Sequence, residues 1–152
     1  DRSDMVTGIV EQPAAISYHY RGGSHIYYPD FLLDLTDGRH VLVEVKYSLN
    51  IADARNVVKY AAAERYAHQH GWGFAVVCPN EPAVSLPDLR EWQVSAATAQ
   101  ALETELSAHG YVDHQSLSRI MELTPVSAME IPALALQRGW SISHGPFRIT
   151  QP

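Results

Sequence analysis

Apolar and polar residues alternate through the first third of the chain in a way that predicts strands. Ile9-Val10 follows Thr7-Gly8, and Pro13 introduces a second extended run, Ala15-Ile16-Ser17-Tyr18-His19-Tyr20. Arg21-Gly22-Gly23-Ser24 reads as a turn, after which Ile26-Tyr27-Tyr28 resumes the pattern. Phe31-Leu32-Leu33-Asp34-Leu35 is a third apolar run, and Thr36-Asp37-Gly38 behind it holds the Asp-Gly pair that hairpin turns favour. The strand from Arg39 to Lys46 has the clearest period of two. Val41, Val43 and Val45 fall on one face; Leu42, Glu44 and Lys46 fall on the other. Residues 51 to 70 change to helical spacing, with Ala54, Val58, Ala61 and Ala62 along it and Gly71 as its stop. Gly73 to Cys78 is a further buried strand. Hairpins, then a helix, then a strand able to lie beside the earlier ones predict an α/β fold. Pro79-Asn80-Glu81-Pro82, with Pro87 shortly after, reads as a loop leading to a domain boundary.

Near residue 95 the spacing turns helical again. Ala96 to Ala108 carries Leu102 and Leu106 on one stripe, with Gly110 beyond its end. Asp113 stands as an N-cap for His114 to Glu122, which carries Leu117, Ile120 and Met121. Thr124-Pro125 reads as an N-cap followed by proline at the first helical position, opening a third helix that runs to Arg138 and stops at Gly139. Trp140-Ser141-Ile142, the turn His144-Gly145-Pro146 and Phe147-Arg148-Ile149 then predict a small ribbon. Three short helices closed by a hairpin is the layout of a winged helix-turn-helix. The chain therefore divides into residues 1–92 and 93–152.

Composition narrows the class. The 152 residues suffice for one ordinary core, or two small ones. The single cysteine, Cys78, allows neither an internal disulfide nor a zinc-finger set, which fits a reducing, cytoplasmic setting. Apolar runs such as Gly73-Phe74-Ala75-Val76-Val77-Cys78 fall well short of the roughly 18 residues of a spanning helix. No basic stretch followed by an apolar one opens the chain, so neither a membrane nor a secretory signal is expected. The net charge of −6 argues mildly against nucleic acid as a partner.

The candidate chemistry lies in Pro29-Asp30 and Glu44-Val45-Lys46. Asp30 opens one strand of a hairpin, Glu44 lies near the end of its partner, and the Asp37-Gly38 turn lets those ends meet. Glu44 and Lys46, two apart on a strand, project from one face. Two carboxylates and a lysine converging in this way suit hydrolysis of a phosphodiester with a divalent metal. Oxygen ligands from Asp30, Glu44 and the Val45 carbonyl would hold Mg²⁺ or Mn²⁺, and the ammonium would position or activate the nucleophile. The same short pattern also fits an ordinary surface ion pair.

The flanking residues add a resemblance. Ile9-Val10-Glu11-Gln12-Pro13, then Tyr28-Pro29-Asp30-Phe31 within a Tyr-x-Pro-Asp-Phe element, then Val43-Glu44-Val45-Lys46 resemble the TnsA endonuclease N-terminal domain. That family belongs to the restriction-endonuclease-like PD-(D/E)xK nucleases, and the likeness covers roughly residues 5 to 78. It implies a mixed sheet with a flanking helix over 1–92 and a small winged helix-turn-helix domain over 93–152. It further implies a Mg²⁺-dependent endonuclease of bacterial or phage origin, with Asp30 and Glu44 as metal ligands and Lys46 as the catalytic lysine, leaving a 5′-phosphate and a 3′-hydroxyl. Family members nick one strand at transposon ends, alongside a DDE-type transposase subunit and an AAA-type ATPase regulator. The family pattern also has an acidic residue on a helix upstream of the Gln-Pro element, a helix that the sequence starting at Asp1 lacks. Asp4 and Glu11 are acidic and nearby, neither at the matching position, and Glu11 is the candidate substitute acid.

Other residues keep two readings. Gln12, Tyr47, Ser48, Arg55 and Lys59 are candidates for contacts to DNA, while solvated loop and helix surface predicts the same residue types. His68 and His70 do not face each other on a helix, and His25 and His40 flank the site strands. Ser24 and Ser48 have no base at a telling spacing. Between Ser127 and Gln137 the only charge is Glu130, and Pro132 is expected to bend or break the third helix, a poor DNA reader. That part suits docking to protein. The alternatives to a transposon-end nuclease are a catalytically silent scaffold that recruits transposase or ATPase partners, and a related nuclease of phage maturation or DNA repair.

Overall fold

The computed structural model describes residues 5–79 and 81–152; Asp4 and Asn80 lie outside the described residues. Its elements run β1 (Val6–Glu11), β2 (Ile16–Tyr20), β3 (Gly23–Tyr27), β4 (Phe31–Leu35), β5 (His40–Val45), α1 (Ser48–Ile51), α2 (Ala54–Gln69) and β6 (Gly73–Val77). There follow α3 (Leu86–Glu91), α4 (Ala96–His109), α5 (His114–Leu123), α6 (Glu130–Arg138), β7 (Ser141–His144) and β8 (Phe147–Thr150). These form two compact units. One takes the residues up to Lys46 together with Arg55–Ser85; the other takes Tyr47–Ala54 and Leu86–Pro152. The change of sequence pattern comes near residue 92, the change of unit after Ser85, and α3 lies between the two positions.

The first unit is built on a four-stranded sheet in the order β1-β4-β5-β6. The β1–β4 and β4–β5 pairs are antiparallel, and β5 pairs with β6 in parallel. A parallel pair needs a crossover, and α2 supplies it. Gly38, with φ of 81°, takes the left-handed conformation of the β4–β5 turn, which fixes the register at Phe31 opposite Val43 and Leu32 opposite Leu42. A separate hairpin, β2–β3, turns through Arg21 and Gly22. Ile16, Tyr18 and Tyr27 of that hairpin cluster with Leu42 of β5 and with Ala62, Ala63 and Ala67 of α2. Because Leu42 and Glu44 share a strand face, this core also defines the side on which Glu44 sits.

The helix expected over 51–70 is α2, which starts three residues later than expected and is preceded by the short α1. α1 ends at Ile51, Ala52 and Asp53 break the run, and α2 starts at Ala54. The alanine-rich pattern runs on across the break, but Ala52 is buried in the second unit's core and Ala62, Ala63 and Ala67 in the first's.

The second unit corrects three local expectations. The proline-rich stretch read as loop holds α3, with Pro87 in the first turn, where the missing N–H would have no partner. Thr124 closes α5 instead of opening a helix: its N–H donates to the Ile120 carbonyl at 2.9 Å. The third helix, α6, begins only at Glu130. There Pro132 is the third residue and interrupts nothing, since its position needs no intrahelical donor. Ser95 caps α4 by accepting the Thr98 N–H, and Asp113 and Ser116 form a reciprocal box at the start of α5. β7 and β8 pair antiparallel, and Val112 and Ile149 exchange two backbone hydrogen bonds of 2.9 Å. Leu102, Leu106, Leu117, Ile131 and Ile142 form the centre of this core. Among the described residues no helix is long and apolar enough to cross a membrane.

Candidate active site

The β4–β5 ladder brings together the two carboxylates that the sequence singled out. The register Phe31 opposite Val43 carries Asp30 to the end of the β4–β5 ladder, beside Glu44 and Val45. There the Val45 N–H donates to Asp30 Oδ2 at 2.8 Å. One step further the Lys46 N–H donates to the Val77 carbonyl at 2.9 Å, which continues the β5–β6 ladder and fixes the backbone from which Lys46 projects. The Lys46 ammonium makes an ion pair with Glu44 Oε1 and also donates to the Val45 carbonyl at 3.2 Å. One residue thus serves both partners, since Val45 holds Asp30 by its N–H and Lys46 by its C=O.

Glu44 is only 2 % exposed, whereas the Lys46 side chain is 22 % exposed. A carboxylate removed from water needs strong donors, and the second one here is Tyr27, whose hydroxyl donates to Glu44 Oε2 at 2.6 Å. Burial, and then the negative charge of Glu44 beside it, push the Tyr27 phenol far above its ordinary range; Asp30 adds to the effect in the same direction. Tyr27 is therefore a neutral donor at any ordinary pH, close to both carboxylates. The sequence reading missed it. Its one signal was the first position of the Tyr-x-Pro-Asp-Phe element, which Tyr27 occupies.

The remaining candidates fall into two groups. Gln12 adopts a left-handed φ of 45°, and its N–H donates to the Asp30 carbonyl at 3.0 Å, so the end of β1 lies beside Asp30. Glu11 is exposed and opposite Phe31 in the β1–β4 register. Arg55 and Lys59, four apart on α2, lie over two of the hairpin's tyrosines, Tyr18 and Tyr27. Arg55 Nε donates to Tyr18 Oη at 2.8 Å, and Lys59 Nζ stands 5.5 Å from the Tyr27 ring centre. Tyr47 and Ser48, by contrast, belong to the second unit, where Tyr47 precedes α1 and is well exposed.

Three of the four histidines singled out in the sequence have local partners. His25 stacks on Tyr18, His40 Nδ1 lies 2.6 Å from Asp34 Oδ1, and His70 Nδ1 lies 2.8 Å from the Tyr66 carbonyl. Ser24 does meet a base, contrary to expectation: His19 Nε2 is 3.0 Å from its hydroxyl, across the hairpin and exposed. Cys78 is buried. Among the described residues no group of three or more His, Cys, Asp or Glu side chains gathers as a metal site. The donors at the sheet end are the Asp30 and Glu44 carboxylates and the Val45 carbonyl, oxygens of the kind that hard divalent cations take.

Against known proteins, the chain matches the family model described as TnsA-like endonuclease N terminal over residues 3–78, half of its length. No curated protein matches it.

Proposed function

Since the chain belongs to the TnsA-like endonuclease N-terminal family, we propose that it is a Mg²⁺-dependent DNA endonuclease, the strand-nicking subunit of a heteromeric transposase. One observation carries the reading: the Lys46 ammonium pairs with a buried Glu44 at the same sheet end where the Val45 N–H holds Asp30. The oxygen donor set fits the cation. Asp30, Glu44 and the Val45 carbonyl would hold Mg²⁺, with Mn²⁺ as a substitute, and Glu11 would serve as a further acid from the end of β1. The chemistry such a cation supplies when bound is polarisation of a phosphoryl group and acidification of water. The protein's own part is to align the phosphodiester and to place the Lys46 ammonium where it orients the attacking water. Hydrolysis breaks the bond from phosphorus to the 3′ oxygen, which leaves as a hydroxyl and gives a 5′-phosphate.

Gln12, Arg55 and Lys59 of the first unit, and Tyr47 and Ser48 of the second, are the groups we assign to contacts with DNA. The net charge of −6 does not oppose this, because Asp30 and Glu44 would be neutralised by the cation they would hold. It does favour delivery of the DNA by a partner. Residues 93–152, with Arg119, Arg138 and Arg148 against five acidic residues, would act as a winged-helix docking domain for a DDE-type transposase subunit or an AAA-type ATPase regulator.

The test is nicking of supercoiled plasmid in Mg²⁺, with those partners present. Asp30→Ala and Lys46→Ala should each abolish it while circular dichroism stays that of the wild type. Unchanged cleavage by either variant overturns the reading. A second reading, a silent scaffold for the same partners, is favoured by one feature: among the described residues, two carboxylates, Asp30 and Glu44, meet at the sheet end and no cluster of three forms. Failure of the wild-type protein to bind Mn²⁺, combined with tight binding of a partner ATPase, would select it.

A further inference from the structure

Tyr27 is on neither of the strands that carry the carboxylates. It ends β3, in the separate hairpin, and is 4 % exposed, opposite Ile16 in the β2–β3 register. Glu44 is held from two sides by donors of different kinds. Lys46 reaches Oε1 with a partly exposed ammonium on a flexible four-carbon stem. Tyr27 reaches Oε2 with a hydroxyl whose ring is packed beside Ile16, Tyr18 and Leu42 and lies under the Lys59 ammonium. The first donor can swing away and the second cannot. Asp30 repeats the arrangement, with Oδ2 tied to a backbone N–H.

We propose that Tyr27 is a positioning residue: it fixes Glu44 Oε2 so that Oε1 is the oxygen presented to the cation and to Lys46. This rests on the metal-dependent reading of the site. A ligating carboxylate without its supporting hydrogen bond turns about its last torsion, and loss of such a partner weakens metal binding by about 10- to 100-fold. The hairpin is thus part of the site without touching the cation.

The test is Mn²⁺ binding to the full chain, followed by electron paramagnetic resonance, for the wild type, Tyr27→Phe and Asp30→Ala. Tyr27→Phe should weaken binding about 10- to 100-fold with an unchanged circular dichroism spectrum, and its nicking rate should recover at saturating Mn²⁺. Asp30→Ala should bind no Mn²⁺. Affinity of Tyr27→Phe within twofold of the wild type, with Asp30→Ala defective, overturns the role of Tyr27 and leaves the metal site standing. Absence of Mn²⁺ binding in the wild type overturns both. A second measurement needs no variant: the Tyr27 hydroxyl proton should exchange slowly in NMR spectra, both without and with Mg²⁺. Its disappearance on adding Mg²⁺ would show that the cation displaces the bond, and would overturn the proposal.

Discussion

Glu44 in the first unit and Glu130 in the second are nearly equally buried, at 2 and 7 % exposed. Their donors differ. Glu44 has two side chains, the Tyr27 hydroxyl and the Lys46 ammonium. Glu130 has the Ser95 N–H at 2.6 Å, the Ser127 N–H at 2.8 Å and the Thr98 hydroxyl at 3.1 Å. Rotating Glu130 would take the acceptor from two backbone N–H groups and from the buried Thr98 hydroxyl, so it stays where it is and ties the start of α6 to the start of α4. Glu44 can exchange its ammonium for another cation without orphaning any part of the main chain. Burial alone does not mark a working acid; the replaceability of its partners does.

The largest effect expected from this contrast is on catalysis. Glu44→Gln should lower nicking by about 10³-fold, roughly 4 kcal/mol of barrier, measured at saturating Mg²⁺. Unfolding in urea should change by under about 1 kcal/mol, because the glutamine carbonyl still accepts from Tyr27. A stability loss matching that of Glu130→Ala would erase the distinction. Glu130→Ala, conversely, removes the acceptor of three donors, of which the Thr98 hydroxyl is buried, and should cost about 1 to 3 kcal/mol in the second unit's unfolding. Mn²⁺ affinity should stay within twofold of the wild type.

A smaller effect follows from protonation. Burial on its own pushes the Glu130 carboxyl upward, but the hydrogen bonds from Ser95, Ser127 and Thr98 outweigh it and hold the group below its ordinary value of about 4.5. The folded state therefore binds this proton more weakly than the unfolded one. The stabilisation is complete above pH 4.5 and is lost as pH falls below it. Asp113, held low mainly by the Ser116 N–H, titrates in the same direction. The difference between wild type and Glu130→Gln in acid unfolding isolates Glu130, and the variant should show the flatter profile. Equal slopes would remove Glu130 as the source.

The two glutamates were not equally legible in the sequence. Glu44 was, because the alternation of Val41, Val43 and Val45 fixed its face and Asp37-Gly38 fixed the register that brings Asp30 to it. Both signals are local. Tyr27 was not legible as a partner, because its hairpin pairs only within itself and reaches Glu44 by tertiary packing. Glu130 looked like a lone charge in a helix poorly suited to reading DNA, and two of its three partners lie 35 and 32 residues away. The break at Ala52-Asp53 was hidden by an alanine-rich pattern that serves two cores in turn. Thr124-Pro125 misled because threonine closes a helix there, and the start of the next one is organised by a side chain inside it.

The backbone sharpens the same contrast on the smallest scale. Among the described residues, the second unit's left-handed positions are glycines, Gly110 and Gly139, whereas the first unit places Gln12 at φ of 45° and Arg21 at 48°. An L side chain in that region costs free energy unless it is Asn or Asp, so the first unit carries strain that the second avoids. Gln12 sits against Asp30, where strain has an evident tie to the site. Arg21 sits in a two-residue turn, Arg21-Gly22, whose positive φ values of 48° and 78° are those of the type I′ turn that favours Asn-Gly. Arg21→Asn should therefore stabilise the first unit by about 0.5 kcal/mol, read from the urea midpoint. Destabilisation would mean that the Arg21 guanidinium, 5.3 Å over the Tyr20 ring, is worth more than the strain it imposes. Stabilisation accompanied by weaker DNA binding would place Arg21 with Gln12, as a residue held in an unfavourable conformation for what it touches.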